Sequence, residues 1–308
     1  MTGDLSIRLR YLIKFFRMTK KLKVLQGLLE LDTGSKCNWC PGCGDHGILL
    51  ALKQAIFELK LDPEEVMLVS GIGCGSQAPH LVKVYGFHSL HGRAVPVATG
   101  MKMANNKMHV IIIGGDGDGY GIGMGHFIHG VRRNFDVTYL VQNNQIYGLT
   151  KGQTSPTSDH GFKTKTTPDG AIEPDMHQLS LSIAAGASFV ARGFAGDIAH
   201  LKELIMAGIQ HKGFSHIDIL QPCVTLNKIN TYQWYQERIY KLGEDFDPRD
   251  KAAALAKAEE WGEKIAIGVY YEEDRWTYED ELPMIAEKPL VDHDISGVDI
   301  SEDLKPYF

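Results

Sequence analysis

Asp116 and Asn144 are the residues whose types and spacing point most directly to chemistry. Asp116 stands in Gly115-Asp116-Gly117, Asn144 closes the pair Asn143-Asn144, and 25 residues separate the two motifs. A carboxylate and an amide oxygen are hard ligands of the kind Mg²⁺ accepts, and Mg²⁺ commonly completes its octahedral shell with phosphate oxygens. Backbone amides in a glycine turn, and at a helix start behind it, can face the same phosphates. Gly-Asp-Gly alone would pass for an ordinary glycine-rich turn; the paired asparagines make the pattern specific. The second reactive set is five cysteines. Cys37, Cys40 and Cys43 fall in KCNWCPGCGDHG (36–47), Cys74 in SGIGCG (70–75), and Cys223 directly after Gln221-Pro222. A zinc ribbon would normally show a second CxxC within about 20 residues, which this chain lacks. A thioredoxin-type pair would leave Cys74 and Cys223 unexplained. A four-thiolate iron–sulfur site accepts ligands from distant loops, provided the fold gathers them.

The elements around these residues supply a common edge. Residues 110–113 are an apolar, β-branched run ending in glycines, which predicts a buried strand. A helix is predicted over 120–133, with Arg132-Arg133 in its last turn, and a second strand over 137–141. Parallel strands joined by a crossover helix end on the same side of a sheet, where open α/β sheets bind ligands, so Asp116 and Asn144 are expected side by side. Strands predicted at 66–69 and 216–220 bring Cys74 and Cys223 to that edge, and the CxxC loop precedes a helix over 47–59. His91 and Arg93 precede a helix over 97–105. They are expected either to face the cofactor or substrate carboxylate, or to cap local carbonyls. His126 with His129, and His88 with His91, lie three apart and read as packing or capping residues rather than metal ligands. Residues 148–175 lack periodicity. So long a loop in a compact domain usually has a function, here either a cover with Thr150, Lys151 and Gln153 pointing inward or a partner contact. No GxGxxG occurs in either glycine-rich stretch, around Cys74 or around Asp116, since Ser76 stands where Gly71-x-Gly73 would want glycine, which disfavours a dinucleotide site.

Further along, residues 177–223 predict helix, strand (188–191), helix (197–211) and strand. Beyond Cys223 strand signals fade, helices are predicted over 230–241 and 251–264, and the last 25 residues are acidic and irregular. The expected fold is α/β: one doubly wound, mostly parallel domain over 36–223. Residues 1–35 precede it as a basic extension, and 224–308 follow as an extension wrapping onto it or onto another subunit. The 308 residues are 44% hydrophobic and 23% charged, as in a soluble globular protein, and the charge of −6 gives no reason to expect nucleic acid. Residues 1–23 stand apart: seven basic residues against Asp4 give +6, leaving −12 for the rest. Lys14 and Arg17 break their apolar run far short of a membrane span, and no signal-peptide pattern appears. An amphipathic surface segment is one reading; an extension outside the fold, upstream of a start at Met18, is preferred. The expected location is cytoplasmic.

Longer motifs then give a resemblance. WCPGCG (39–44), SGIGCGS (70–76), LHGRAVPVATGMKMAN (90–105), GGDGDGYGIGMGHF (114–127), NNQIYGLTKGQTSPT (143–157) and DILQPC (218–223) resemble the β subunits of 2-oxoacid:ferredoxin oxidoreductases. ARGFAGDIAHLKELI (191–205), NTYQWYQERIYKL (230–242) and EWGEKIAIGVYY (260–271) continue the likeness, which spans about residues 36 to 280. The resemblance implies the diphosphate-binding fold of thiamine diphosphate enzymes. Its Mg²⁺ ligands fall on Asp116, Asn144 and the carbonyl of Ile146. Cofactor contacts are expected at Gly115, Asp116, Gly117, Asp118, Asn144, Ile146, Gly148, Leu149 and Thr150. It implies a [4Fe–4S] cluster on Cys40, Cys43, Cys74 and Cys223, with Cys37 an extra. The implied reaction is coenzyme A-dependent oxidative decarboxylation of a 2-oxoacid, with electrons passing through the cluster to ferredoxin. It also implies an α subunit that supplies the glutamate facing the aminopyrimidine ring, in a heterodimer or heterotetramer.

Two other readings stand beside this one. A non-oxidative thiamine diphosphate enzyme component would leave the four cysteines idle, and a cluster-only electron-transfer protein would leave Gly-Asp-Gly and Asn-Asn idle. The loop KGQTSPTS resembles relatives that use 2-oxoglutarate or several 2-oxoacids. Against a firm choice, Gln77 stands where close relatives often carry a basic residue, so pyruvate stays open.

Overall fold

The computed structural model describes residues 25–307; the basic segment over 1–23 lies outside them. Ten strands form among the described residues: β1 (Val66–Ser70), β2 (Tyr85–His88), β3 (His109–Gly115), β4 (Val137–Asn143), β5 (Ile146–Tyr147), β6 (Gln153–Thr154), β7 (Phe189–Phe194), β8 (Phe214–Leu220), β9 (Ile239–Lys241) and β10 (Ile265–Glu272). Eight of them make one sheet in the order β2-β1-β3-β4-β8-β7-β10-β9, while β5 and β6 form a separate small hairpin. The first six strands of the sheet are parallel, and β10 runs antiparallel to β7.

Successive strand residues face opposite sides, and the isoleucine run shows what that does here. Val110 and Ile112 enter one apolar core with Phe127, Tyr139 and Phe214. Ile111 and Ile113 enter the other, against Ile48, Leu52 and Ile56 of the helix Gly44–Glu58 and Leu201 and Ile205 of the helix Ile198–Gln210. Both faces are therefore covered, which is why the centre of β3 reads as a continuous apolar run. The loops after β1, β2, β3, β4 and β8 all leave from one edge.

Three expectations need correction. The helix predicted over 120–133 is two pieces: a wide π-type turn over Gly117–Ile122, then an α-helix over Met124–Arg133. Gly121 between them has non-helical angles (φ −85°, ψ −108°). The strand signals that fade after Cys223 mislead, because β9 and β10 extend the main sheet. Of the helix predicted over 230–241, only Tyr232–Gln236 forms, ended by β9. Aromatic packing of Tyr235 on Phe194 and pairing of Ile239 with Ile265 override the local helical pattern.

Candidate active site

Where the strands end, a cavity of about 130 Å³ opens between the loops. Gly115, Asp116, Gly117 and Asp118 line it from the turn after β3. Asn144, Ile146, Gly148, Leu149 and Thr150 line it from the loop after β4, and His91 from the loop after β2. Register explains the meeting of the two motifs: β3 and β4 pair Gly115 with Gln142, so Asp116 and Asn144 leave neighbouring strand ends together.

Each ligand candidate is held by its own contacts. Asp116 is 1% exposed and its Oδ2 accepts a hydrogen bond from Thr157 Oγ1 at 2.7 Å. Burial pushes its carboxyl up to about 6, against the pull of the Ser155 and Thr157 hydroxyls and the Gly117 amide; a cation beside it would favour the carboxylate. Asn144 Oδ1 accepts from the Ile146 amide at 3.0 Å, in a tight turn, and both residues line the same cavity. Gln145 between them takes a left-handed φ of +58°, and its amide donates to Thr157 O and Asp159. Asp118 has a different job. Its Oδ1 accepts from the amides of Gly92 (2.7 Å) and Ile72 (2.9 Å) and meets His91 Nδ1 at 2.7 Å. One carboxylate thus fastens the loops after β1 and β2 to the turn after β3. Gly71 makes room for it, since a Cβ there would lie 1.9 Å from Asp118 Oδ2.

The cysteine loops adjoin this cavity. Cys74 lines it, and a Cβ built on Gly148 would lie 3.4 Å from Cys74 Sγ and 3.9 Å from Cys223 Sγ, so Gly148 faces both sulfurs. The CPGC turn closes by Cys43 N–H to Cys40 O at 3.0 Å, and Gly44 N–H donates to Pro222 O at 3.2 Å, joining it to the loop of Cys223. Trp39 Nε1 donates to Cys74 O at 2.6 Å, joining it to the loop of Cys74. All five cysteines are free thiols, and Cys37 packs in the same small cluster as Cys43 and Cys74. Burial pushes the Cys74 thiol up to about 11, with Asp45, Cys223 and Cys40 adding to it, and raises Cys43 still further, helped by Asp45. Such thiols ionise readily only with a cationic partner. Among the described residues, no three His, Cys, Asp or Glu side chains close around a point for a single metal ion.

Some expected residues lie elsewhere. Arg93 does not line the cavity: its guanidinium donates back to Gly92 O at 3.3 Å, and its charge, after burial, holds His126 below its ordinary value. Lys151 is exposed, and its charge reaches Cys74 instead of pointing inward. Gln153 folds onto Thr150. Four residues passed unnoticed in the sequence. Thr157 braces Asp116 from 41 positions away. Tyr147 lines the cavity and its hydroxyl donates to Gly117 O. Gln142 is 1% exposed, lines the cavity and has both amide atoms unpartnered. Gln221 lines the cavity and reaches Cys43. For Gln142 a signal existed: it stands two residues before Asn144 on a strand, hence on the same face.

Comparison with known proteins agrees with this geometry. Residues 67–219 match the family described as thiamine pyrophosphate enzyme, C-terminal TPP binding domain, and residues 223–287 match the family of the C-terminal part of the pyruvate ferredoxin oxidoreductase beta subunit. The sheet is thus that of a thiamine diphosphate-binding domain. A 2-oxoacid:ferredoxin oxidoreductase subunit beta from Aeropyrum pernix is 49% identical over 269 residues, covering 83% of this chain and 85% of the relative. A 2-oxoglutarate synthase subunit KorB from Methanocaldococcus jannaschii is 39% identical, covering 81% and 93%. The chain belongs to the β subunits of 2-oxoacid:ferredoxin oxidoreductases. Among solved structures, it is similar to a chain of 2-oxoglutarate:ferredoxin oxidoreductase from Magnetococcus marinus, described with 2-oxoglutarate, coenzyme A and succinyl-CoA bound. That match has a TM-score of 0.84 and 38% identity, over 94% of this chain and 96% of the other.

Proposed function

We propose that this chain holds the diphosphate half of a thiamine diphosphate site and the first electron acceptor of the same reaction, a [4Fe–4S] cluster. The observation that carries the reading is a single cavity with Asp116 and Asn144 on one wall and Cys74 on another. The reaction converts a 2-oxoacid, coenzyme A and two oxidised ferredoxins to acyl-CoA, CO₂, a proton and two reduced ferredoxins. Bound thiamine diphosphate supplies the carbon–carbon cleavage, and a bound cluster supplies one-electron transfer.

The chain's own residues then have distinct tasks. Asp116, Asn144 and the Ile146 carbonyl would hold Mg²⁺, with Thr157 fixing the Asp116 rotamer. Amides of Gly115 to Gly117 would bind the diphosphate, and Leu149 and Thr150 would contact the cofactor from the loop after β4. His91 stands at the mouth with Nδ1 engaged by Asp118, which leaves Nε2 to meet a substrate carboxylate. Cys40, Cys43, Cys74 and Cys223 would bind the cluster. A partner subunit supplies the glutamate opposite the aminopyrimidine ring. Exposed Leu149 on the cavity wall, and exposed Ile122 packed against Gly92, offer it an apolar rim. Among the described residues no helix is long and apolar enough to cross a membrane, and we place the enzyme in the cytoplasm. The named relatives favour 2-oxoglutarate as substrate, with pyruvate second.

The test uses the complex purified without oxygen. Thiamine diphosphate extraction, an iron–sulfur absorption and EPR signature, and coenzyme A-dependent acceptor reduction across a panel of 2-oxoacids should all be positive, with 2-oxoglutarate turned over best. A cofactor-loaded complex without iron would point to a non-oxidative thiamine enzyme. An iron-loaded complex without thiamine diphosphate would point to an electron carrier.

A further inference from the structure

We propose that Gln221 sets the reduction potential of the cluster by donating a hydrogen bond from its amide to the sulfur of Cys43. The inference rests on the cluster reading above. Gln221 is 2% exposed and directly follows β8. Its Nε2 donates to Cys43 Sγ at 3.3 Å, while the side chain also lines the cofactor cavity, so one amide spans the wall between the two centres.

The position of this side chain is fixed from three directions. Its backbone N–H donates to Asn143 O at 2.9 Å, tying it to the Asn-Asn motif. The next residue, Pro222, accepts from Gly44 N–H at 3.2 Å, tying it to the CPGC turn. Gly44 leaves the space it occupies, because a Cβ there would lie 2.7 Å from Gln221 Cγ and 3.2 Å from the Pro222 nitrogen. These ties hold the backbone that carries the amide beside the sulfur. A thiolate only accepts, so the orientation of the amide is dictated by its partner.

The electrostatic consequence follows from charge alone. Adding an electron makes the cluster more negative, and an N–H dipole aimed at a ligand sulfur stabilises the reduced form more than the oxidised one. Hydrogen bonds to the sulfurs are among the established levers on cluster potential. Removing the donor should therefore lower the potential and make the cluster a poorer acceptor of electrons from the cofactor side.

The experiment is an EPR-monitored redox titration of the complete complex, prepared anaerobically, carrying wild-type chain, Gln221→Met or Gln221→Glu. Methionine keeps the length and removes the donor; glutamate keeps the shape and replaces the donor with an acceptor. With iron and sulfide content retained, the midpoint should shift downward in Gln221→Met and further in Gln221→Glu. An unchanged or raised midpoint in Gln221→Met with a full cluster overturns the proposal. Loss of the cluster in both variants also overturns it, since Gln221 would then hold the cysteine loops together rather than tune them. A wild-type complex with no reducible cluster signal instead refutes the reading on which the proposal stands.

Discussion

Replacing Asp118 by alanine should loosen two loops of the site with one substitution. Its Oδ1 takes the Gly92 and Ile72 amides at 2.7 and 2.9 Å and meets His91 Nδ1 at 2.7 Å, in a side chain only 1% exposed. Hydrogen bonds to a charged group contribute about 1.5–3 kcal/mol each, and an orphaned buried donor costs about 1–3 kcal/mol. The His91 contact is more exposed and is left out of the sum. Two backbone donors lost together then cost about 3–6 kcal/mol, and relief of the buried carboxylate's desolvation favours the lower end, about 3 kcal/mol. At about 2–4 °C per kcal/mol, Asp118→Ala should lower the melting temperature of the complex by roughly 6–12 °C. Asp118→Asn keeps one acceptor oxygen without the charge and should lose about half as much. The assay is calorimetry of the complex together with thiamine diphosphate titration. Because the fastened loops carry Ile72, Cys74 and His91, affinity should fall with stability. An alanine variant with wild-type melting and wild-type cofactor affinity would refute the assignment of Asp118 as the fastener.

Other perturbations separate the remaining roles. Asp116→Ala should abolish Mg²⁺-dependent thiamine diphosphate binding while iron content stays near wild type, as equilibrium dialysis and iron analysis would show. Cys74→Ser and Cys223→Ser should each deplete the cluster by EPR and iron analysis, whereas Cys37→Ser should not. The chain purified alone should show no 2-oxoacid oxidation with an artificial acceptor, because in the proposed function the glutamate belongs to a partner, across an interface on the order of 2,000 Å² or more. Burial, then Arg192, depresses the His216 imidazole to about 3. The unfolded chain binds that proton below its ordinary 6.5, so stability should fall as pH drops from about 6.5 toward 3, by at most about 1.4 kcal/mol per pH unit. Thermal melts between pH 7 and 5 should show a shallower acid loss in His216→Gln.

What was legible in the sequence follows the range of the interactions. β3 and β4 are marked by β-branched runs buried on both faces, and Gly-Asp-Gly and Asn-Asn are local, so their meeting followed from the rule for parallel crossovers. β10 was not legible. It pairs antiparallel with β7 through contacts some 80 residues apart, such as Gly268 with Arg192, and no short window carries that information. Thr157 was missed for the same reason: it lies in an aperiodic loop and acquires its role only when the loop folds back on Asp116. Of the two roles the sequence left open for Arg93, the structure has the local one. Its neighbour His91 lines the cavity, while Arg93 is the N-cap of the helix Ala94–Ala104 and its guanidinium donates to the Gly92 carbonyl.

The two asparagines of the motif divide their work because consecutive strand-end residues face opposite sides. Asn144 lines the cavity, while Asn143 Nδ2 donates to Asp218 Oδ1 at 3.2 Å on the other side. Asp218 is fully buried and also accepts from Tyr120, Gln178 and Arg192. Burying a guanidinium–carboxylate pair carries a desolvation cost that apolar packing of similar volume would avoid, so stability alone is a poor reason for it. Its effect here is geometric. Asp218 on β8 sits opposite Val141 of β4, two strands over from the turn after β3, and fixes the end of β4 laterally through Asn143. Thr157 adds a second tie, donating toward both Asn143 Oδ1 (2.9 Å) and Asp116 Oδ2 (2.7 Å). The hydroxyl has one proton to share, so the two acceptors are held at a set separation by a group neither can monopolise. The distance between the turn after β3 and the loop after β4, which is the distance the proposed Mg²⁺ would have to match, is therefore determined from behind the cavity rather than within it.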